Sequence, residues 1–129
     1  MPTMPTVAAL VFLCLALMVC LFQAALVLGA PWGVRTLGGR WAGRLPVAGR
    51  IIGALSFLLM LAFALVVCAR AGWVLADWRD TARLWIWIVV AYCALGTVAN
   101  AATRSRQERR TWLPVVGLML LSSLVVATA

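Results

Sequence analysis

The chain has 129 residues, of which 66% are hydrophobic and 11% are charged, and its mean hydropathy is +1.09. These values lie far from the average of soluble proteins and exclude a soluble globular domain. A net charge of +8 would suit nucleic acid if it lay on a soluble face. Here the arginines occupy short segments beside long apolar runs, so anionic lipid headgroups are the expected counterpart and nucleic acid is not.

Charged side chains are confined to three segments, 35–50, 70–83 and 104–110. The apolar runs around them are long enough for helices that cross a hydrocarbon core of about 30 Å, which takes roughly 20 residues. Lipid offers backbone groups no partner outside their own segment, so each run is predicted to be a helix. The sequence therefore predicts an all-α, up-down four-helix bundle in the membrane, a single domain (1–129) with short connectors. The four spans are predicted at about 7–30, 51–69, 84–102 and 112–127.

The segments between the spans, connector 1 (31–50), connector 2 (70–83) and connector 3 (103–111), differ in charge. Connectors 1 and 3 hold four arginines each, whereas connector 2 holds three arginines beside Asp77 and Asp80. Basic residues near the ends of spans tend to stay in the cytoplasm. Eight arginines against three therefore predict a multi-pass protein of the inner (cytoplasmic) membrane, with connectors 1 and 3 in the cytoplasm and both termini outside.

The positions of the seven tryptophans agree with this arrangement. Indole rings favour the headgroup level at either end of a span. Three of them fall at the cytoplasmic ends of the predicted spans, Trp32, Trp41 and Trp112. The other four fall towards the opposite ends, Trp73, Trp78, Trp85 and Trp87. We interpret all seven as interfacial anchors.

Residue types that usually carry catalysis are scarce. Histidine is absent, which excludes imidazole metal ligation and a Ser-His-Asp triad. The four cysteines lie inside predicted spans without a CxxC pair, and we interpret them as packing residues. Asp77 and Asp80 stand three residues apart beside Arg79 and Arg83, which suits a solvated salt-bridged turn or a paired-acid site. We predict no metal, no cofactor and no catalytic residue, and we favour a protein that is not an enzyme.

Small and neutral polar residues gather towards the cytoplasmic ends of the spans. The polar ones are Gln23, Ser56, Thr97 and Asn100. They either bond across helix contacts and hold the bundle together, or they line a pocket, rimmed by arginines, that accepts an anionic amphiphile. Gly49 and Gly53 have the GxxxG spacing, which allows helices to approach closely and suits a homo-oligomer equally well.

Two strings in the connectors are distinctive. The first contains Gly29-Ala30-Pro31-Trp32-Gly33, Gly38-Gly39-Arg40 and Gly43-Arg44-Leu45-Pro46, and its glycines and prolines exclude a regular helix. The second runs through Asn100, Ser105-Arg106, Glu108-Arg109-Arg110, Trp112 and Pro114, and we expect this last proline in the first turn of the fourth helix. Together the strings resemble a group of small four-helix integral membrane proteins of high-GC actinobacteria. The resemblance covers nearly the whole chain, and it implies a fold and a membrane location but no activity.

The leading functional hypothesis is a non-enzymatic protein that acts through connectors 1 and 3, either an accessory subunit of a membrane protein or a binder of anionic lipid. The residues expected to contact phosphate are Arg40, Arg44, Arg106, Arg109 and Arg110. Trp32 and Trp112 would fix the depth in the membrane, and Gln23 with Asn100 would orient whatever enters the bundle. One alternative is a small channel or transporter that oligomerises through Gly49 and Gly53. A second alternative is a lipid-modifying enzyme that uses Asp77 and Asp80 on the outer side.

Overall fold

The structure, a computed structural model, describes residues 3–129 and is built from four long helices. They are α1 (Met4–Val27), α2 (Val47–Arg70), α3 (Arg79–Ala102) and α4 (Arg106–Ala127). All four are long and apolar enough to cross a membrane. The all-α fold class is confirmed, and the helices indicate a multi-pass membrane protein.

Local sequence signals set the ends of α1 and α2. The Thr3 side chain accepts a hydrogen bond from the backbone N–H of Thr6 at the start of α1. At its other end Gly29 has a φ of +105°, and the N–H of Ala30 reaches back to the carbonyl of Ala25. Gly72 ends α2 in the same left-handed conformation. Glycine suits these positions because it has no Cβ to oppose a positive φ.

The fourth helix begins earlier than the sequence suggested. Ser105 lies at the N-cap of α4, and its hydroxyl accepts a hydrogen bond of 3.1 Å from the backbone N–H of Glu108. The helix therefore starts at Arg106 within the charged connector, and Pro114 lies in its interior. The prediction that Pro114 stands in the first turn was wrong, because this cap satisfies a free N–H group about two turns before the apolar run that begins at Trp112.

The helices form a ring in chain order, with α4 packed against both α3 and α1. At one end of the bundle connectors 1 and 3 meet, where the Ser105 hydroxyl donates a hydrogen bond to the carbonyl of Val34. At the other end Arg70 donates a hydrogen bond to the carbonyl oxygen of Ala129, so the last residues of α2 and α4 lie together. Neighbouring helices therefore run in opposite directions. We call the first end the arginine end, because connectors 1 and 3 bring eight arginines to it.

The core is densest in the half of the bundle away from the arginine end, which we call the packed half. Small residues on α1, Ala8, Ala9 and Ala16, are buried there beside Phe12, which is fully buried. The other helices contribute the buried side chains Val67, Ile86, Val89, Ser123 and Val126. Small side chains let membrane helices approach closely, so this half is filled by interlocking side chains.

Connector 1 folds into two short 3-10 turns, Gly33–Arg35 and Leu37–Gly39, instead of a regular helix, as its glycines predicted. The backbone N–H of Gly33 donates to the carbonyl of Gly43 and closes the segment on itself. Gly33 is required there, because a Cβ at this position would lie 1.8 Å from the carbonyl oxygen of Trp41. The result is a compact cap over the arginine end.

Candidate functional site

Three side chains at the start of α4 hold connector 1 in place, and we call Ser105, Glu108 and Trp112 the clasp. The Ser105 hydroxyl donates to the carbonyl of Val34, the Glu108 Oε2 atom accepts from the N–H of Gly38 at 2.6 Å, and the Trp112 Nε1 atom donates to the carbonyl of Arg35 at 2.9 Å. Spacings of three and four residues place the three side chains on one face of α4. The clasp therefore fixes connector 1 along two turns of that helix.

Glu108 stands among four arginines in the sequence, but its carboxylate bonds to connector 1. The spacing Ser105-x-x-Glu108 is that of a capping box, in which the glutamate reaches back to the N–H of the serine. Here the Ser105 N–H bonds to the Thr103 hydroxyl at 3.2 Å, and the Glu108 carboxylate bonds to Gly38 in connector 1. A charge-assisted hydrogen bond of this kind stabilises connector 1 where it lies over the end of the bundle.

Beneath connector 1 the four helices line a partly open cavity of about 300 Å³, which we call the inner cavity. The residues at its mouth are mainly polar: Gln23, Arg35, Thr36, Asn100, Glu108 and Trp112. The deeper wall is mainly apolar: Val19, Met60, Val115, Val116 and Met119, together with Tyr92. Such a lining suits a molecule with one polar and one apolar end.

The polar residues of α3 bond within their own helix. The Asn100 Nδ2 atom donates to the carbonyl of Gly96, and the Thr97 hydroxyl donates to the carbonyl of Cys93, both at 2.7 Å. These bonds do not cross to a neighbouring helix, so they do not tie α3 to the bundle. Asn100 keeps its carbonyl oxygen and a second amide hydrogen for a partner at the mouth of the inner cavity.

The two glycines of the GxxxG spacing are buried inside the chain. A Cβ on Gly53 would lie 3.3 Å from the Gln23 Oε1 atom, where α2 approaches α1. A Cβ on Gly49 would lie 3.2 Å from the ring of Trp41 and from the Cβ of Leu45. Both glycines thus have a packing role within one chain, and a homo-oligomer through them stays a prediction.

A second, open depression of about 440 Å³ lies on the outside of the bundle, and we call it the outer groove. Its lining comes from α1, α4 and connector 1: Met18, Leu21, Phe22, Ala25, Trp32, Arg35, Thr111 and Trp112. Phe22, Arg35 and Trp112 line the inner cavity as well. The ring of Phe22 packs edge-on against Trp112, with centroids 4.6 Å apart, and is stacked on Trp32 at 6.1 Å. The rings of Phe22 and Trp112 line both spaces and therefore lie between them.

The residues that the sequence predicted as ligand contacts divide into two groups. Gln23, Asn100 and Trp112 line the inner cavity, and Trp32 lines the outer groove. Within residues 3–129 neither space is lined by any of the five predicted arginines, Arg40, Arg44, Arg106, Arg109 and Arg110. Four of these arginines are exposed, and the half-buried Arg109 donates to the carbonyl of Thr103 at 3.2 Å. Their role as phosphate contacts stays a prediction.

Two of the exposed arginines of connector 1 contact neighbouring parts of the chain. The guanidinium carbon of Arg40 lies 4.9 Å from the centroid of the Trp41 ring, in a cation–π contact. The guanidinium of Arg44 covers Gly29 at the end of α1, where a Cβ would lie 2.8 Å from an Arg44 nitrogen. A cation at this position is favourable, because the last carbonyls of a helix carry partial negative charge.

Sequence reasoning missed Arg35 and Phe22, which line both spaces. Arg35 was counted among the arginines of connector 1 without a site role, and Phe22 looked like any other apolar residue of a span. No local pattern marks either one, because their neighbour Trp112 is far away along the chain. Ser105-x-x-Glu108 did carry a signal, since it is a known helix-start motif.

Asp77 and Asp80 lie at the opposite end from these two spaces. Asp77 belongs to a short turn, Ala76–Trp78, and Asp80 to the first turn of α3, and both side chains are exposed. Acidic residues at a helix start interact favourably with the helix dipole.

No family model, curated protein or solved structure matches the chain. The resemblance to the actinobacterial group therefore stays a prediction.

Proposed function

We propose that this chain is a non-enzymatic, multi-pass protein of the cytoplasmic membrane that binds an anionic amphiphile at its arginine end. The observation that carries the proposal is the inner cavity, whose wall is apolar in its depth and polar at its mouth. An amphiphile would place its hydrocarbon beside Met60 and Met119 and its headgroup beside Gln23, Asn100 and Arg35. This division matches that of a lipid, in which one end is desolvated at low cost and the other needs hydrogen-bond partners.

The distribution of charged residues supports two parts of this proposal, namely that the ligand is anionic and that the arginine end lies in the cytoplasm. The arginine end carries eight arginines and one carboxylate, Glu108, whereas the opposite end carries three arginines with Asp77 and Asp80. The positive-inside rule places the arginine end in the cytoplasm and both termini outside. The cytoplasmic leaflet is rich in anionic lipids, which attract arginines near the surface by about 1 kcal/mol each.

The donors at the mouth of the inner cavity suit an anion. Gln23 offers two amide hydrogens, Asn100 offers one beyond its bond to Gly96, and Arg35 offers a guanidinium. The carboxylate of Glu108 is already engaged through Oε2 with the N–H of Gly38. A carboxylate that is fixed in this way serves the fold of connector 1, which is a reason to favour binding over acid–base catalysis.

The inner cavity ends inside the bundle, which favours binding of a ligand over passage of a solute or an ion through a single chain. Its deep wall ends at Met60 and Met119, both buried, and the packed half lies beyond them. A path for a solute or an ion would have to cross fully buried side chains such as Val67 and Ile86. A channel built from several copies would need a separate path between chains.

Native mass spectrometry of the full chain in mild detergent tests this proposal. We expect a phospholipid adduct on the wild type whose occupancy, at lipid concentrations well below saturation, falls about thirtyfold in the double variant Gln23→Leu, Asn100→Leu, because two hydrogen bonds of roughly 1 kcal/mol each are lost. The control is Thr81→Val, which removes an exposed hydroxyl at the opposite end. An adduct of equal occupancy in the double variant would contradict the proposed site.

The same spectra separate the other functional hypotheses. A second polypeptide bound to a lipid-free chain would favour an accessory subunit, for which the exposed Arg106 and Arg110 are available. A lipid-free homo-oligomer would favour a channel or transporter. In that case, flux measurements in proteoliposomes with the Gln23→Leu variant become the deciding experiment.

A further inference from the structure

We infer that the inner cavity and the outer groove are two halves of one site, which holds an anionic glycerophospholipid with one acyl chain on each side of Phe22 and its phosphate at Arg35. The inference rests on the proposed function and narrows its ligand from an amphiphile in general to a two-chain lipid. The ligand would come sideways from the cytoplasmic leaflet, through the side of the bundle between α1 and α4.

The inner cavity and the outer groove share one boundary. Phe22, Arg35 and Trp112 each line both the inner cavity and the outer groove. The Phe22 and Trp112 rings form the apolar part of this boundary, and Arg35 is its one charged member. A phosphate bound at Arg35 would therefore lie at the branch point from which a chain can run down either side.

Both spaces offer an apolar surface that suits an acyl chain. The outer groove has almost no polar lining apart from Arg35 and Thr111, and it is open to the outside of the bundle. Its exposed side chains include Met18, Leu21 and Trp32. On a membrane helix such a surface faces hydrocarbon, so its occupant is an acyl chain. The inner cavity offers a similar apolar wall in its depth, at Val19, Met60 and Val115.

Among the polar groups around the branch point, Arg35 is held in place by connector 1 and the clasp. The Trp112 ring is held by its hydrogen bond to the carbonyl of Arg35, so the clasp also sets the place of Arg35. Gln23 and Asn100 lie on the cavity side and can donate to phosphate or ester oxygens. A headgroup at the level of connector 1 with chains that point into the bundle follows the direction of lipids in the cytoplasmic leaflet.

A set of three probes with the same phosphate tests the inference on the wild-type chain in detergent. The probes are dioleoyl phosphatidate with two chains, oleoyl lysophosphatidate with one chain, and glycerol phosphate with none. We expect the two-chain probe to bind about tenfold more tightly than the one-chain probe, and glycerol phosphate to bind more weakly than either. Equal affinity for the one-chain and two-chain probes overturns the inference and leaves the proposed function standing. Absence of binding by both lipid probes overturns the two together.

A substitution in the outer groove makes the test specific. Ala25→Trp fills the outer groove, and Ala62→Trp adds the same side chain to the exposed face of α2 as a control. We expect Ala25→Trp to lose the advantage of the second chain while Ala62→Trp keeps it. An undiminished advantage in Ala25→Trp would overturn the inference.

A measurement without any substitution gives an independent answer. Phosphatidate with a photoactivatable diazirine near the end of one acyl chain is added to the wild type, and the labelled residues are mapped by mass spectrometry. The label is expected on Met18 and Leu21, which lie deeper in the outer groove than Arg35, and inside the bundle on Met60 and Met119. An even distribution over the outward faces of all four helices would contradict a defined site.

Discussion

The packed half and the arginine end of the bundle use similar residues with opposite results. In the packed half Ala9 and Ala16 bring helices together around Phe12, which is fully buried. Near the arginine end Gly53 and Gly96 also lie at helix contacts, but the centre of the bundle holds a cavity of about 300 Å³. Small residues thus allow helices to approach, and whether a void remains depends on the side chains between them.

A cavity destabilises a helix bundle, because the atoms that line it lose dispersion contacts on one side. Other contacts must offset this loss. In the packed half, side chains from all four helices supply the dispersion contacts. At the arginine end the clasp takes their place: Ser105, Glu108 and Trp112 tie connector 1 over the mouth by hydrogen bonds. One end of this small bundle thus keeps an internal cavity, whereas the other end is filled by side chains. Three experiments test this difference, from the largest expected effect to the smallest.

Removal of an aromatic ring is expected to be most damaging in the packed half. Phe12→Ala should lower the free energy of unfolding by about 3 kcal/mol, because the lost ring leaves a cavity among buried side chains. This value is the low end of the range for such substitutions, since burial in a membrane removes little apolar surface from water and the loss is mainly one of packing. Phe22→Ala, beside existing empty space, should cost less than half as much. Unfolding in detergent mixtures, followed by circular dichroism, measures both. Equal losses would mean that the two halves are packed alike.

Addition of a ring is expected to show the reverse order. Ala16→Phe places a large side chain at a position that is 2% exposed, and overpacking there should cost about 1–3 kcal/mol. Val19→Phe also places a ring on the wall of the inner cavity, with a smaller gain in volume because valine is already larger than alanine, and should change the unfolding free energy by less than about 1 kcal/mol. The same unfolding measurement decides between them. A large loss in Val19→Phe would show that the cavity has no room for the ring.

The smallest effect is expected from one hydroxyl of the clasp. Ser105→Ala removes the acceptor for the Glu108 N–H and the donor to the Val34 carbonyl, and should cost about 1–2 kcal/mol. Ser122→Ala is the control, since its hydroxyl donates to the Met119 carbonyl in its own helix, and it should cost less than about 0.5 kcal/mol. Hydrogen exchange should rise in connector 1 for Ser105→Ala alone. Unchanged exchange there would contradict the clasp.

Sequence reasoning predicted the helices better than their starts and predicted the site only in part. The glycines of connector 1 correctly excluded a helix, because several adopt positive φ values in tight turns. Pro114 misled the placement of α4, because the cap at Ser105 was not recognised. Gln23 and Asn100 were grouped from their positions alone, and the structure brings both to the inner cavity. Arg35 was passed over in favour of arginines that lie elsewhere on the same end.

The sequence by itself determined four apolar helices and the concentration of charge at one end of the bundle. Helix formation depends on hydrogen bonds within a segment, and the distribution of arginines is written directly in the chain. Only the tertiary structure decided which polar groups face the inner cavity and how connector 1 closes over it. The hydrogen bond between Gly38 and Glu108 joins residues 70 positions apart, and the one between Arg35 and Trp112 joins residues 77 positions apart. Contacts of this range arise from the packing of α4 against α1, and no local pattern in the sequence encodes them.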